Sequence, residues 1–167
     1  MTAVYKQNIV LEGCDGAGKT TLAKVLEEQH EMFYRHVSNP VDYEDGKQQN
    51  LDFVNKMNKN TRLLYDRGLL GEAIYGPIFR GYTPDYIREF ESRLEPHNWL
   101  VLVDCDVKTL NDRYDGEFIE RKNIPQILKD YRKQFNLSKF PNKIIVNSSD
   151  STPEEMALFI AHVIGEQ

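Results

Sequence analysis

Apolar residues fall in short runs separated by stretches of helical period. Asn8-Ile9-Val10-Leu11-Glu12 reads as a buried strand, the core of a first strand at 6–12. Runs at 32–37, 61–65, 99–103 and 143–146 read the same way, and Trp99-Leu100-Val101-Leu102-Val103 is the most apolar. The intervals carry the other period. A good helix follows residue 18 and ends near His30. A loop is predicted over 38–48 from Asn39-Pro40, Asp and Gly. A weaker helix follows at 49–59, with Leu51, Val54 and Asn58 on one side. Residues 68–80 read as helical until a break at Gly76-Pro77, and 107–114 as a short helix. Thr83 as N-cap and Pro84 as first residue open another helix, with Tyr86, Phe90 and Leu94 on its inner face and Pro96 as its stop. Ile124, Ile127, Leu128, Tyr131 and Phe135 stripe the next helix. Met156, Phe159, Ile160 and Val163 stripe the last, opened by Thr152-Pro153.

Strands alternating with helices imply right-handed βαβ units around a mainly parallel sheet. The expected fold is α/β, a three-layer α/β/α sandwich of the P-loop NTPase type with a five-stranded, mainly parallel sheet. With no repeat or linker, residues 1–167 read as one P-loop domain with a lid segment at about 112–123. Ligands in such a sheet sit beyond the C-terminal strand ends. That rule brings Gly13, Asp66 and Cys105 to one edge.

The chemistry starts at that edge. Gly13-Cys14-Asp15-Gly16-Ala17-Gly18-Lys19-Thr20 fits G-x-x-x-x-G-K-[ST] at every fixed position, between a strand and a helix. Its glycines permit positive φ and close backbone approach. Successive N–H groups and the helix N-terminus then form an anion nest. Residues 13–21, with Gly13, Asp15, Gly16, Ala17, Gly18, Lys19, Thr20 and Thr21, are the expected nucleotide site. Lys19 is placed on the outer phosphates of ATP and Thr20 on Mg²⁺. Asp66-Arg67 follows the third strand. An acid there can hold Mg²⁺ or its waters opposite Thr20, and an Arg beside it can grip a second phosphate. A surface ion pair is the competing reading.

Composition narrows this picture. Apolar residues are 40%, charged residues 28% and the net charge −5, values of a globular domain without the basic surface of a nucleic-acid binder. No nucleic-acid or membrane partner is therefore expected. Cys14 and Cys105 have no metal-like spacing, and they and the four histidines read as packing or surface residues. No charged-then-apolar leader or membrane-length run is present, and a cytoplasmic location is expected.

The P-loop segment Asp15-Gly16-Ala17-Gly18-Lys19-Thr20-Thr21 resembles that of the thymidylate kinases. Asp66-Arg67, Tyr75 and Arg80-Gly81 fall in register with that family's Asp-Arg-Tyr strand end and the helix after it. Arg113-Tyr114-Asp115-Gly116-Glu117-Phe118-Ile119-Glu120-Arg121 looks similar to its arginine-bearing lid. The resemblance implies a nucleoside monophosphate kinase. Lys19, Asp66, Arg67, Arg113 and Arg121 would be catalytic, with Arg67 on the acceptor phosphate and the other two arginines closing over the triphosphate. It implies Thr20 and Asp66 as metal ligands, and Asp15, Arg67, Glu72 and Tyr75 facing the acceptor. Solvated side chains compete for Arg113, Arg121 and Glu72, a helix-start charge for Asp15, and core packing for Tyr75 and more strongly for Phe53. Family members are often dimers, which makes a second copy a candidate partner.

The departures concern the acceptor. The family's Ser after Asp-Arg-Tyr is Gly71, and its thymine-reading Gln is Gly76. Its Arg-Glu-Pro segment after strand two is reduced to Asn39-Pro40. Loss of the Gln side chain at Gly76 is expected to open room for a larger base. The rival enzyme is a deoxynucleoside kinase using Glu12 or Glu72 as base on a 5′-hydroxyl. A polynucleotide kinase or ATPase is a lesser alternative. A guanine-reading switch lacks its Asn-Lys-x-Asp, since Ile144-Ile145 follows Asn142-Lys143.

Overall fold

The computed structural model describes residues 6–165. Its sheet has five strands, all parallel, in the order β2-β3-β1-β4-β5. These are β1 (Asn8–Glu12), β2 (Phe33–His36), β3 (Leu63–Asp66), β4 (Asn98–Asp104) and β5 (Asn142–Asn147). The helices are α1 (Lys19–His30), α2 (Tyr43–Lys59), α3 (Leu69–Tyr75), α4 (Ile87–Ser92), α5 (Val107–Arg113), α6 (Ile124–Leu137) and α7 (Pro153–Gly165). β1 lies between β3 and β4 and is buried throughout. β5, at an edge, buries only alternate residues. Right-handed crossovers put α1 and α7 together on one face and α2, α3, α4 and α6 on the other. Among the described residues no helix is long and apolar enough to cross a membrane.

Several elements differ from their expected limits, each for a local reason. α2 starts at Tyr43, not at 49, because Asp42 caps it by accepting from the Asp45 N–H at 2.8 Å. The glycine that suggested a loop, Gly46, lies inside this helix. A Cβ there would come within 2.7 Å of the Tyr82 hydroxyl oxygen, so the helix needs a glycine to pack so closely. α2 buries Asn50, Phe53, Val54 and Met57; of the expected face Val54 is buried, while Leu51 and Asn58 are half-buried. Gly76-Pro77 does not break its helix; Gly76–Arg80 continues as a π-helical turn. Thr83-Pro84 opens no helix, since 83–85 crosses the start of α2, where Asp85 accepts the Tyr43 hydroxyl. α4 then begins at Ile87 and ends at Ser92, before Pro96. α7 turns Met156, Ala157, Ile160 and Ile164 inward and leaves Phe159 49% exposed.

Candidate functional site

The P-loop leaves β1 at Gly13, where a Cβ would lie 2.4 Å from the Val103 carbonyl oxygen on β4. Gly16 and Gly18 take φ of 86° and 101°, which a side chain would strain. The Ala17 N–H closes the turn on the Cys14 carbonyl. Lys19, the first residue of α1, is buried and donates to the Gly13 and Cys14 carbonyls at 2.8 and 3.3 Å. Burial, and then Arg67, lower its pKa. A cavity of about 440 Å³ opens over this loop, bounded by Lys19, Thr20, Arg113, Ser148, Ser151 and Pro153. Asp15, Gly16, Gly18 and Thr21 line it as well.

Arg113, at the end of α5, is the wall of that cavity. Its guanidinium donates to the Gly16 and Ala17 carbonyls at 3.3 and 3.2 Å and to the Ser148 side chain and carbonyl at 3.2 and 3.1 Å. It is pinned to the P-loop, not carried on a free flap. Arg121 is not brought there. It is exposed, stacks over the Tyr114 ring at 4.7 Å and donates to the Asn111 carbonyl. The two arginines expected to act together therefore lie apart here, Arg113 on the P-loop and Arg121 turned back along α5 by the short turn at Arg121–Asn123. Ser148 and Ser151 escaped the sequence reading, and a Ser-rich turn after the last strand is a weak signal.

The strand ends supply the second group. The Thr20 hydroxyl donates to Asp66 Oδ2 at 3.0 Å, and the Tyr34 hydroxyl from β2 donates to the same oxygen at 3.0 Å. Burial and that bond push the Tyr34 hydroxyl up to about 12, so it stays a donor. Tyr34 is a further site residue that the sequence did not single out; only its place on the strand beside β3 marks it.

Arg67 follows with φ 73°, in the left-handed region that non-glycine residues avoid. Its N–H is held by the Leu11 carbonyl, which extends the β1–β3 pairing by one residue. Its guanidinium lies over the Tyr75 ring at 4.9 Å and the Phe118 ring at 4.6 Å. Behind it, Glu12 is fully buried and accepts the Gly68 and Gly71 N–H groups at 2.9 and 2.6 Å. Burial raises its carboxyl to about 7, against the pull of those bonds. Glu12 therefore braces the turn that carries Arg67 and is not free as a base.

Tyr75 is 1% exposed and its hydroxyl accepts the Asp15 N–H at 3.3 Å, which ties α3 to the P-loop. It edges onto Tyr131 behind and also lines a small pocket in front. Glu72 is 6% exposed, paired with Arg80 at 2.8 Å, and accepts the Tyr82 hydroxyl. It is no solvated acid. Glu72, Arg80, Arg67 and Tyr75 share that pocket of about 30 Å³ with Ser38 and Asn39. Through Val37 and Ser38 it adjoins a groove of about 270 Å³ along α2. Phe53 packs edge-on against Tyr65 at 4.7 Å, the core role expected. Gly76 does not open space. A Cβ there would meet Glu72 Oε1 and the Tyr82 carbonyl oxygen, each at 3.2 Å, because Tyr82 has folded into the place of the missing side chain. Cys14 is buried, with its thiol pushed up to about 12, and reads as packing.

No protein-family model matches the chain. A curated relative, the probable thymidylate kinase of Methanococcus vannielii, is 25% identical over 179 aligned positions, which cover 89% of this chain and 90% of the relative. The YorR protein of Bacillus subtilis, solved with phosphorylated GDP, superposes with a TM-score of 0.82 at 21% identity, over 95% of this chain and 96% of that one. Deoxyadenosine kinase from M. mycoides, solved with dCMP and dCDP, gives 0.67 at 15% identity, over 96% and 100%. The described fold is that of these P-loop proteins, and its parallel sheet is the one expected.

Proposed function

We propose that this chain, a thymidylate kinase-like P-loop phosphotransferase, moves the γ-phosphoryl group of ATP to a nucleoside monophosphate. One observation carries the acceptor class. Arg67 stands between the P-loop and the second pocket, held by backbone and rings, and no carboxylate among the described residues forms an ion pair with it. An unpaired guanidinium beside a phosphate-transfer site suits an anionic acceptor. The rival hydroxyl acceptor needs a base at the 5′-oxygen, whereas Glu12 faces two backbone N–H groups behind Arg67 and Glu72 is paired with Arg80 and Tyr82 in the pocket assigned below to the acceptor base.

Thr20 and Asp66 fit Mg²⁺, since their oxygens are hard donors 3.0 Å apart at the loop's mouth. When bound, the ion would neutralise charge on the phosphates. The chain's own work is positioning. Lys19 and the loop N–H groups hold the outer phosphates, Arg113 walls the donor side, and Arg67 orients the attacking phosphate oxygen. No general base is required, because a monophosphate arrives ionised. The acceptor base faces Glu72 and Arg80, an acceptor beside a donor. That pair matches the N1–H/N2–H and O6 edge of guanine better than a thymine edge. The guanine nucleotide bound by YorR is in keeping with this reading.

The test is ATP consumption against a panel of nucleosides, nucleoside monophosphates and a 5′-hydroxyl oligonucleotide. Turnover confined to monophosphates is expected. Faster turnover of a nucleoside would replace the reading with that of a nucleoside kinase.

A further inference from the structure

The loop after α5 brings a half-exposed phenylalanine onto the aromatic residues around Arg67. Phe118 is 41% exposed, yet its backbone is held at φ 32°, a conformation that a non-glycine residue keeps only where its surroundings fix it. The fixings are visible. Gly116 turns the chain at φ 83°, with open space where a side chain would be. The Tyr114 hydroxyl donates to the Ile119 carbonyl at 2.8 Å, and Ile119 is buried. Phe118 is thereby delivered onto Arg67, 4.6 Å from its guanidinium carbon. Its ring meets Tyr75 at 5.2 Å and 65° and Phe79 at 5.1 Å, and Phe79 stacks on Tyr75. The guanidinium thus sits in a notch formed by the Tyr75 and Phe118 rings, one from helix α3 and one from the loop.

We propose that Phe118 is a positioning residue for phosphoryl transfer. With Tyr75 it seats the Arg67 guanidinium over two ring faces, so that the N–H groups are left for the acceptor phosphate. Contact over a ring draws on the π surface and takes up no carboxylate or carbonyl partner, whereas an ion pair would neutralise the cation. The ring also shields the cation from water on the solvent side, where its attraction to a phosphate is otherwise screened. Because Phe118 rides on the loop, the acceptor arginine is formed only with that loop in place. This rests on the reading of Arg67 as the holder of the acceptor phosphate.

The test uses the full chain with Phe118→Leu, Phe118→Tyr, Arg67→Ala and the Phe118→Leu/Arg67→Ala double variant. Each is assayed for KM of ATP and of whichever of dGMP, dAMP, dTMP and dCMP the parent turns over fastest. Titration calorimetry of that monophosphate without ATP gives Kd. Phe118→Leu is expected to raise acceptor KM and Kd about tenfold, about 1.4 kcal/mol, with ATP KM changed less than about twofold. Phe118→Tyr, which keeps the ring, should stay near the parent. The double variant should be no worse than Arg67→Ala alone, since Phe118 acts through Arg67. A leucine variant equal to the parent, a tyrosine variant as impaired as leucine, additive losses in the double variant, or equal loss of ATP affinity would each overturn the proposal. If instead Arg67→Ala leaves acceptor affinity intact, the acceptor-phosphate reading itself fails and takes this one with it.

Discussion

Thr20 and Asp66, 46 residues apart in sequence, meet through a 3.0 Å hydrogen bond at the mouth of the P-loop, and Tyr34 joins on the same carboxylate oxygen. The hydroxyl lies in the first turn of α1 and the carboxylate ends β3, so the contact exists only because β1 and β3 are neighbours. Asp66→Asn keeps the shape and removes the charge. It should raise the Mg²⁺ concentration for half-maximal rate by about 10- to 100-fold. Tyr34→Phe, which removes only the bond that orients Asp66, should give a shift at the low end of that range. Titrating Mg²⁺ at fixed ATP and acceptor measures both, and an unchanged Mg²⁺ curve for Asp66→Asn would remove it from the metal site.

Lys19→Ala should lower kcat by about 100-fold or more while leaving the fold intact. The loss falls on the step where charge develops on the phosphates. The side chain is buried against backbone carbonyls and its pKa is lowered by that burial, so its charge costs free energy in the resting protein. A melt of the variant at or above the parent's temperature, with turnover lost, is the expected pair of results.

Arg67→Ala should raise the acceptor's KM far more than that of ATP. A charge-assisted bidentate contact is worth roughly 1.5–3 kcal/mol, or about 10- to 150-fold. Steady-state kinetics with each substrate varied in turn decides it. The opposite split, with ATP affinity lost and acceptor affinity kept, would put Arg67 on the donor side.

Much of this was legible in the chain. The P-loop fits because three glycines and a lysine at fixed spacing leave few alternatives, and the parallel five-stranded sheet follows from apolar runs alternating with helices. Side-chain destinations across the sheet were not legible. Arg113 and Arg121 flank the same loop, but only Arg113 ends a helix that packs beside Ser148. Glu12 looked like a free acid because its partners are backbone N–H groups at 68 and 71, which a one-dimensional reading cannot place. Tyr34 was invisible because its role depends on β2 pairing beside β3. Gly46 and Gly76 misled for one reason: each is a glycine of close packing, against Tyr82 and Glu72, and neither ends its helix.

The raised carboxyl of Glu12 makes a pH prediction. Its folded value is about 7 against an ordinary 4.5. Below about 4.5 the group is protonated in both states. Between 4.5 and 7 the unfolded chain releases the proton and the folded chain keeps it, so stability falls as pH rises through that window and levels off above it. Urea unfolding at pH 5 and pH 8 should therefore show a drop that is smaller in Glu12→Gln, by up to about 3 kcal/mol. Every other titrating group is common to both proteins, so the difference isolates Glu12. Parallel pH dependence in the two would mean that the two N–H bonds keep Glu12 ionised.

If thymine reading were lost only because Gly76 lacks an amide side chain, restoring one should restore it. The packing argues otherwise. A Cβ at Gly76 meets Glu72 Oε1 and the Tyr82 carbonyl at 3.2 Å, tighter than an ordinary contact, and the rest of a Gln would have to displace the Tyr82 ring, 3.5 Å away. Gly76→Gln should thus destabilise the fold by roughly 1–3 kcal/mol, the usual range for overpacking, and gain no preference for dTMP. On the proposed reading, base choice falls to Glu72 and Arg80, whose ion pair lines the pocket. In competition at fixed ATP, the parent should favour dGMP over dTMP in kcat/KM. Glu72→Gln should narrow that ratio about tenfold, because the amide replaces one acceptor oxygen with an NH₂ donor that would face the N1–H and N2–H donors of guanine. A parent that prefers dTMP by more than about 100-fold, or about 2.7 kcal/mol, would show that the thymine reader lies elsewhere in the groove along α2.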